Sequence, residues 1–473
     1  MFKCTGNCAE CKKCYNIFPH EVEKDMVFPQ GFLEEIAFLD KDFELTLNEE
    51  TNFGIAFDIG TTTVAAVLWN LNTKEKISTI GGVNPQRNFG ADVISRIAYC
   101  QGSHEKREKL RLPLMKTFEK MVLTLVSENG ISLNEISKCV FCGNTTMTLI
   151  FAGMSTDGLA CFPFEPDKTL EMEFDFYVND YKIPSIILPG ISGHIGGDIT
   201  GTMLAVEIDK SAENSMVLDL GTNGEVICNI EGRLYGFSTA AGPAFEGANL
   251  SCGMAATVGA INEFSIDENN CRYHVISDID GKSSYRALGI CGTGIMSAIE
   301  NLLAQKIINV HGDLCSWDNY KRMFPYNAIG DRISDEKFVL VFEDLEQGQK
   351  EIAITQNDIR QLQMAKAAIL AGLKTLFKTI LNDSVEIKTI YLAGGFSKIA
   401  PSILNSLNIF PWDIEDKLKC VGNGALTGAS MVLLSQKMRD RAKEFSAKVN
   451  RIELGSSPYF QDEFMKSFDF KKY

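Results

Sequence analysis

The sequence predicts an α/β chain built from two copies of one strand–turn–strand unit, behind a short cysteine-rich segment. Three observations carry this. The first is a repeated motif: Phe53-Gly-Ile-Ala-Phe-Asp58-Ile-Gly60-Thr61-Thr62-Thr63-Val64 returns as Met216-Val-Leu-Asp219-Leu-Gly221-Thr222-Asn223-Gly224-Glu225. Each copy is an apolar, β-rich run that reads as a buried strand, ending in Asp, an apolar residue, Gly and Thr. The second is Tyr391-Leu-Ala-Gly394-Gly395-Phe396-Ser397, a strand ending in a double glycine. The third is Cys4-x3-Cys8-x2-Cys11-x2-Cys14 at the start.

A single Asp-x-Gly-Thr would read as an ordinary hairpin. Two copies after two strands point to a duplicated nucleotide-binding fold. Gly60 and Gly221 allow a tight turn whose N–H groups approach a phosphate, and the threonine hydroxyls add donors. Asp58 and Asp219 can hold a hydrated Mg2+, which prefers one or two carboxylates plus water and substrate oxygens. Backbone at Gly394 and Gly395 can lie flat against a nucleoside because no side chain blocks it.

Composition bounds the rest. A chain of 473 residues with 45% hydrophobic content has room for two to four domains. A net charge of −15 argues against nucleic acid and anionic membrane surfaces. No apolar run reaches transmembrane length, and Met1-Phe-Lys-Cys4 lacks a signal-peptide core. The expected location is cytoplasmic, where 14 cysteines do not form a disulfide framework. Most of the ten scattered ones read as small buried hydrophobes. The four at the start can surround one metal centre. Their compact spacing favours an iron–sulfur cluster, [4Fe–4S] ahead of [2Fe–2S]. A structural Cys4 zinc site is the alternative, although such sites more often use two spaced CxxC pairs.

The other elements follow in order. Residues 15–50 mix aromatics with acids and read as a linker. Phe53 to Ile80 is a three-stranded meander. In the polar loop Asn84 to Asp92, Arg87 and Asp92 are pocket candidates, and Ala91 to Tyr99 is a helix. Lys109 to Val126 is an amphipathic helix after Pro113. Strand Lys138–Cys142 ends in Gly143-Asn-Thr-Thr146, a turn suited to an anion. Residues 162–187 form an insertion or subdomain edge. Leu188 to Asp198 is a glycine-dense loop opening a helix, with His194 read as a satisfied loop histidine. The second unit has its hairpin turn at Glu231-Gly232. Gly242-Pro-Ala-Phe-Glu246-Gly then holds one carboxylate toward the nucleotide, and Cys291-Gly-Thr-Gly294 starts a helix with Cys291 in a packing role. Residues 310–350 mix strand-like and acidic segments. Thr355-Gln-Asn-Asp358 caps a helix burying Ile359, Leu362, Ile369, Leu373, Leu376 and Ile380. Gly422-Asn-Gly-Ala425 begins a last helix, and the charged tail beyond Lys437 drapes on the second domain.

The two Asp-x-Gly-Thr units and the Gly394-Gly395 turn resemble the acetate kinase, sugar kinase, Hsp70 and actin superfamily, in which two related domains close on ATP. With Gly143-Asn-Thr-Thr-Met147, Gly242-Pro-Ala-Phe-Glu-Gly247 and Cys291-Gly-Thr-Gly294, residues 52–435 look like the reductive activators of corrinoid-dependent methyltransferases. The resemblance implies duplicated actin-like ATPase (ribonuclease H-like) domains and an ATP-dependent enzyme of anaerobic metabolism. ATP hydrolysis then supports transfer of one electron from an iron–sulfur cluster to cobalt, taking Co(II) to Co(I) in an inactive cobalamin-type protein. It implies catalytic roles for Asp58 and Asp219. It places nucleotide at Gly60, Thr61, Thr62, Thr63, Gly221, Thr222, Asn223, Gly242, Glu246, Gly394, Gly395 and Phe396, and cluster ligation at Cys4, Cys8, Cys11 and Cys14. The implied partners are a corrinoid protein, a low-potential donor such as ferredoxin or a reductase, and a second copy as a homodimer. Some relatives carry a longer [2Fe–2S] domain at the N-terminus or a ferredoxin-like segment at the C-terminus, so cluster type and donor stay open.

The expected division is 1–15 iron–sulfur segment, 16–51 linker, 52–205 first ATPase domain, 206–437 second ATPase domain and 438–473 C-terminal tail packed on the body. An activator of a radical enzyme such as 2-hydroxyacyl-CoA dehydratase is the alternative within this fold. A small-molecule kinase with a zinc knuckle lacks an evident general base, and an ATP-dependent binding or chaperone module is the non-enzymatic reading. Metal content separates these readings.

Overall fold

A computed structural model describes Met26 and residues 52–90, 92–161, 164–166, 171–221, 223–267, 270–277, 286–334, 336–380, 385–396 and 399–471. The four cysteines, the linker apart from Met26, and Thr222 lie outside the described residues. The chain divides into two compact units. One holds the described residues up to Val217 with Ile227–Gly236 and Cys420–Arg451; the other holds Leu218–Val226, Phe237–Lys419 and the described residues from Ile452.

The first unit is built on a six-stranded sheet of β1 (Phe53–Ile59), β2 (Thr63–Asn70), β3 (Lys76–Val83), β4 (Ile136–Gly143), β5 (Met172–Val178) and β6 (Tyr181–Ile187). Their order is β3-β2-β1-β4-β6-β5. The expected meander β1–β2–β3 is antiparallel, while β4 runs parallel to both β1 and β6. The stretch read as an insertion supplies the β5–β6 hairpin at the edge of this sheet. Helices α1 (Val93–Cys100), α2 (His104–Glu128), α3 (Thr145–Phe151) and α4 (Gly197–Val206) cover it.

Phenylalanines fill the core on one side. Phe57 stacks on Phe141 at 4.5 Å, and Phe118 meets Phe151 edge-on at 5.4 Å. The α2 helix differs from expectation: it runs through Pro113. The reason is its stripe, since Leu110, Leu114, Phe118, Met121 and Val122 are all fully buried on both sides of the proline. A second seam needs small residues. A Cβ on Gly428, in the helix Gly424–Leu434, would sit 2.0 Å from the backbone oxygen of Gly201 in α4, so the two helices pack backbone to backbone.

The second six-stranded sheet contains β7 (Ser215–Leu220), β8 (Gly224–Ile230) and β9 (Arg233–Thr239) with strands Thr389–Ala393, Leu418–Gly422 and Asn450–Arg451. Starting from Leu418–Gly422, its order is Leu418–Gly422, Thr389–Ala393, β7, β8, β9, Asn450–Arg451. Both six-stranded sheets therefore hold a three-strand meander whose first strand is third in the order and is flanked on its other side by strands later in the chain. That is the duplication the two motifs predict. The β8–β9 turn lies at Glu231 and Gly232, whose φ of 51° and 79° fit the two left-handed positions of a tight hairpin.

In the second unit the helix Gln356–Ile380 starts as read from sequence. Asp358 Oδ2 accepts from the Thr355 N–H at 2.8 Å, and Thr355 Oγ1 accepts from the Asp358 N–H at 3.2 Å. Five of the six residues expected on its buried face are buried; Ile380 is half-buried at the helix end. Gly424 does not begin the last helix, because Gln436–Lys448 and Pro458–Lys466 follow. The first of these packs on α4 and Gly424–Leu434, the second on Gln356–Ile380. Of the scattered cysteines, Cys100, Cys139, Cys142, Cys228 and Cys291 are buried as expected. Cys252, Cys271 and Cys315 are half-buried, and Cys161 and Cys420 are exposed. Among the described residues no helix is long and apolar enough to cross a membrane.

Candidate functional site

In the first unit Asp58 ends β1 opposite Ala65 and beside Cys142 of β4. The residue as a whole is half-buried, and Asn423 Nδ2 donates to Oδ2 at 3.0 Å. Asn423 is held in turn: its Oδ1 caps the following helix by accepting from the Leu426 N–H at 2.8 Å. Removal from water pushes the Asp58 carboxyl up to about 6, against the opposing effect of the Asn423 bond.

This has a measurable consequence in nucleotide-free protein. A folded-state value raised from 3.8 to about 6 means that the folded chain keeps a proton the unfolded chain has lost. The associated stability is full below pH 3.8 and disappears as pH rises through about 6. Asp58→Asn should flatten this slope in chemical denaturation. An unchanged slope would assign the titration to another group.

The turn after Asp58 is fastened from behind. Asn84 Nδ2 donates to Gly60 O at 2.8 Å, Arg96 Nη2 to Thr61 O at 2.7 Å, and the Asn84 N–H to Thr62 O at 2.8 Å. Asn144 Nδ2 donates to Thr61 Oγ1 at 3.0 Å. A Cβ on Gly60 would fall 2.5 Å from Thr63 O, so only glycine admits this turn. Thr61 and Thr62 are half-buried and Thr63 is exposed.

The Cys142 thiol lies 4.0 Å from Asp58 Oδ1. Burial, then the carboxylates of Asp58 and Asp198, push it well above the ordinary thiol range. Asp198 thus belongs to this neighbourhood. It stands in the first turn of α4, whose approach needs Gly196: a Cβ there would lie 2.5 Å from the Asn144 Cα. The pocket candidates in the loop fare differently. Asp92 caps α1, accepting from the Ser95 N–H at 2.7 Å while Ser95 Oγ accepts from the Asp92 N–H at 3.2 Å. This reciprocal cap starts α1 at Val93 rather than Ala91. Arg87 is exposed.

In the second unit Asp219 lies near the end of β7. Gly394 has φ of 75°, and a Cβ on it would stand 2.6 Å from Asp219 Oδ1. Only glycine lets the turn Gly394–Phe396 close against that carboxylate. Gly221 is approached by Glu246 Oε1, 3.3 Å from where its Cβ would be, and its N–H donates to Asn223 O at 2.9 Å. That N–H is spent inside the turn. Gly242, with φ of 82°, introduces the turn Pro243–Glu246 that carries Glu246. A Cβ on Gly242 or on Gly395 would meet no atom within 4 Å, so both present open backbone.

The residues predicted in the second unit thus converge: Asp219 with Gly394, and Glu246 with Gly221. Open glycine backbone beside two carboxylates fits a nucleoside phosphate with a divalent cation. His194 is exposed and packs beside Phe164, the two rings tilted with centroids 5.2 Å apart. Cys291 is buried, its Sγ donating to Ile261 O at 3.3 Å, which is the packing role read for it. Sequence reasoning passed over Asn84, Arg96, Asp198 and Asn423 as working groups. Two of them carried a local signal as helix caps: Asn84, ahead of Pro85, and Asn423, ahead of Gly424–Leu434.

Two family descriptions match the chain. Residues 213–473 match "C-terminal domain of RACo the ASKHA domain", and residues 53–211 match "RACo middle region". The chain is similar to the corrinoid activation enzyme RamQ of Eubacterium limosum, with 31% identity over 424 residues, covering 88% of this chain and 70% of that one. It is 25% identical over 432 residues to the [Co(II) methylated amine-specific corrinoid protein] reductase of Methanosarcina barkeri, covering 84% and 73%. Among solved structures, a reductive activator for corrinoid, iron–sulfur protein superposes with a TM-score of 0.76 at 31% identity, covering 90% of this chain and 67% of that one.

Proposed function

The chain belongs to the RACo family of corrinoid activators, and from that premise we propose how its two Asp-Gly-Thr turns serve the reaction. It is an ATP-dependent activase that returns a corrinoid protein from Co(II) to Co(I) by one-electron reduction. The observation that carries this is the pairing of a duplicated sheet order with an aspartate at the same place in each copy, in a chain whose relatives are corrinoid activators.

Asp58, steadied by Asn423, and Asp219, faced by Gly394, would each offer a carboxylate to a hydrated Mg2+. Thr61, Thr62 and Thr63, with Thr222 and Asn223, meet the phosphates. Gly242, Glu246 and the Gly394–Phe396 turn meet the nucleoside side. ATP hydrolysis yields ADP and phosphate, and the charge on the transferring group is carried by cation and fixed donors. Cys4, Cys8, Cys11 and Cys14 ligate an iron–sulfur cluster, [4Fe–4S] ahead of [2Fe–2S], which supplies the electron when reduced by a low-potential donor. The protein works in the cytoplasm as a homodimer.

ATP is needed because cobalt is a poor acceptor. Cluster potentials span roughly −700 to +450 mV, so a cluster need not match a very low couple. For one electron, about 59 mV is tenfold in equilibrium constant. Nucleotide can close such a gap only through differential affinity for two protein states and for the partner's two cobalt states. The test is anaerobic: reduced protein, a Co(II) corrinoid protein, and Co(I) absorbance followed with and without Mg-ATP. Co(I) is expected only with nucleotide. Equal rate and yield without it would sink the coupling, and no Co(I) with several corrinoid partners would favour the dehydratase-activator reading.

A further inference from the structure

The Asp58 turn is backed by a buried polar node that no motif announces. Arg96, Asn84 and Gln86 have no exposed surface. Arg96 spreads its guanidinium over three oxygens: Nε to Gly90 O at 3.1 Å, Nη1 to Gln86 Oε1 at 3.4 Å and Nη2 to Thr61 O at 2.7 Å. Nη1 also lies 3.0 Å from Met147 Sδ. Gln86 is anchored by Nε2 donating to Leu110 O at 3.0 Å, and Asn84 Oδ1 accepts from the Gln86 N–H at 2.9 Å. The node is thus fixed to α2 and to the start of α1, not to the turn alone.

Its effect on the turn follows from peptide geometry. In a planar trans peptide, the C=O of one residue and the N–H of the next point in opposite directions. The carbonyls of Gly60, Thr61 and Thr62 all point into the node. The N–H groups of Thr61, Thr62 and Thr63 are therefore turned to the side away from it. Successive N–H groups presented together form an anion-binding concavity. Lys in place of Arg96 would keep the charge and lose the planar fork that spans three acceptors.

We propose that Arg96, with Asn84, is a positioning residue for the nucleotide phosphates: it holds the carbonyls of the Gly60–Thr62 turn so that the next three amides receive the phosphate oxygens. This rests on the reading that the turn takes ATP. It touches no substrate and acts through the backbone.

The test compares Mg-ATP with adenosine, which lacks phosphates. In Arg96→Lys and Asn84→Ser, calorimetry should show Mg-ATP affinity falling by about tenfold, ~1.4 kcal/mol, with adenosine affinity unchanged. An equal loss for both ligands marks a general structural role and overturns the proposal, as does unchanged Mg-ATP affinity. Amide hydrogen exchange on the unmodified protein tests it without substitution. Mg-ATP should protect the amides of Thr61, Thr62 and Thr63, and adenosine should not. No protection while Mg-ATP is bound overturns the proposal; failure of the unmodified protein to bind Mg-ATP instead removes the ATP reading beneath it.

Discussion

Asp219→Asn is expected to abolish ATP hydrolysis while the protein stays folded. The substitution keeps shape and removes the charge that holds a hydrated cation. The loss to the transition state is several kcal/mol, on the order of 10³ in rate. Asn is nearly isosteric with Asp, so the close packing of Gly394 against the side chain at 219, where an added Cβ would fall 2.6 Å from Oδ1, is not further crowded. Asp58→Asn should behave the same way in hydrolysis, but through a different environment. There the Asn423 amide already donates to Oδ2, and a side-chain oxygen at 58 can keep that bond. Its hydrolysis should fail for lack of charge rather than lack of structure. Steady-state ATPase, Mg-ATP binding and circular dichroism on both variants separate these effects. Wild-type hydrolysis in both would falsify the assignment of Asp58 and Asp219 to Mg-ATP.

Strands and turns were legible because their signals are local. The apolar run of β1 and the Glu231-Gly232 hairpin each state their conformation within a few residues, and repetition of Asp-x-Gly-Thr announced a repeated sheet. The departures share a different cause. Arg96 reads as the polar face of a short helix until Gly90, Gln86 and Thr61 are seen to surround it. Asn423 reads as a helix cap, which it is, and its other amide atom reaches Asp58 only because the fold brings β1 beside the Gly424 helix. Pro113 looks like a helix start, yet the buried stripe on both sides overrides its missing N–H. Each is a case of tertiary packing deciding what local propensity leaves open.

Replacing any one of Cys4, Cys8, Cys11 or Cys14 by Ala is expected to abolish electron transfer to cobalt and leave ATP binding intact. These four residues lie outside the described part of the chain, so the expectation stands on spacing and chemistry. Fe–S clusters are held by four thiolates, and compact cysteine runs of this kind supply them from one segment. The other ten cysteines do not offer a substitute: five are buried as core residues, and the described chain holds no grouping of His, Cys, Asp and Glu fit for a metal. A site left with three ligands should lose its visible absorption or become labile, and the electron then has no carrier. The turns proposed to take ATP span residues 58–63, 219–223 and 394–396 of the sequence, none of which includes these cysteines. Nucleotide affinity should therefore match that of the unmodified protein. Iron and sulfide content, visible spectrum, Mg-ATP affinity and Co(I) yield measured on the same anaerobic samples give the answer. If the quadruple variant still reduces its corrinoid partner, the electron comes from elsewhere. If the unmodified protein holds one zinc and no sulfide, the segment is a structural knuckle and the electron carrier must be a separate protein.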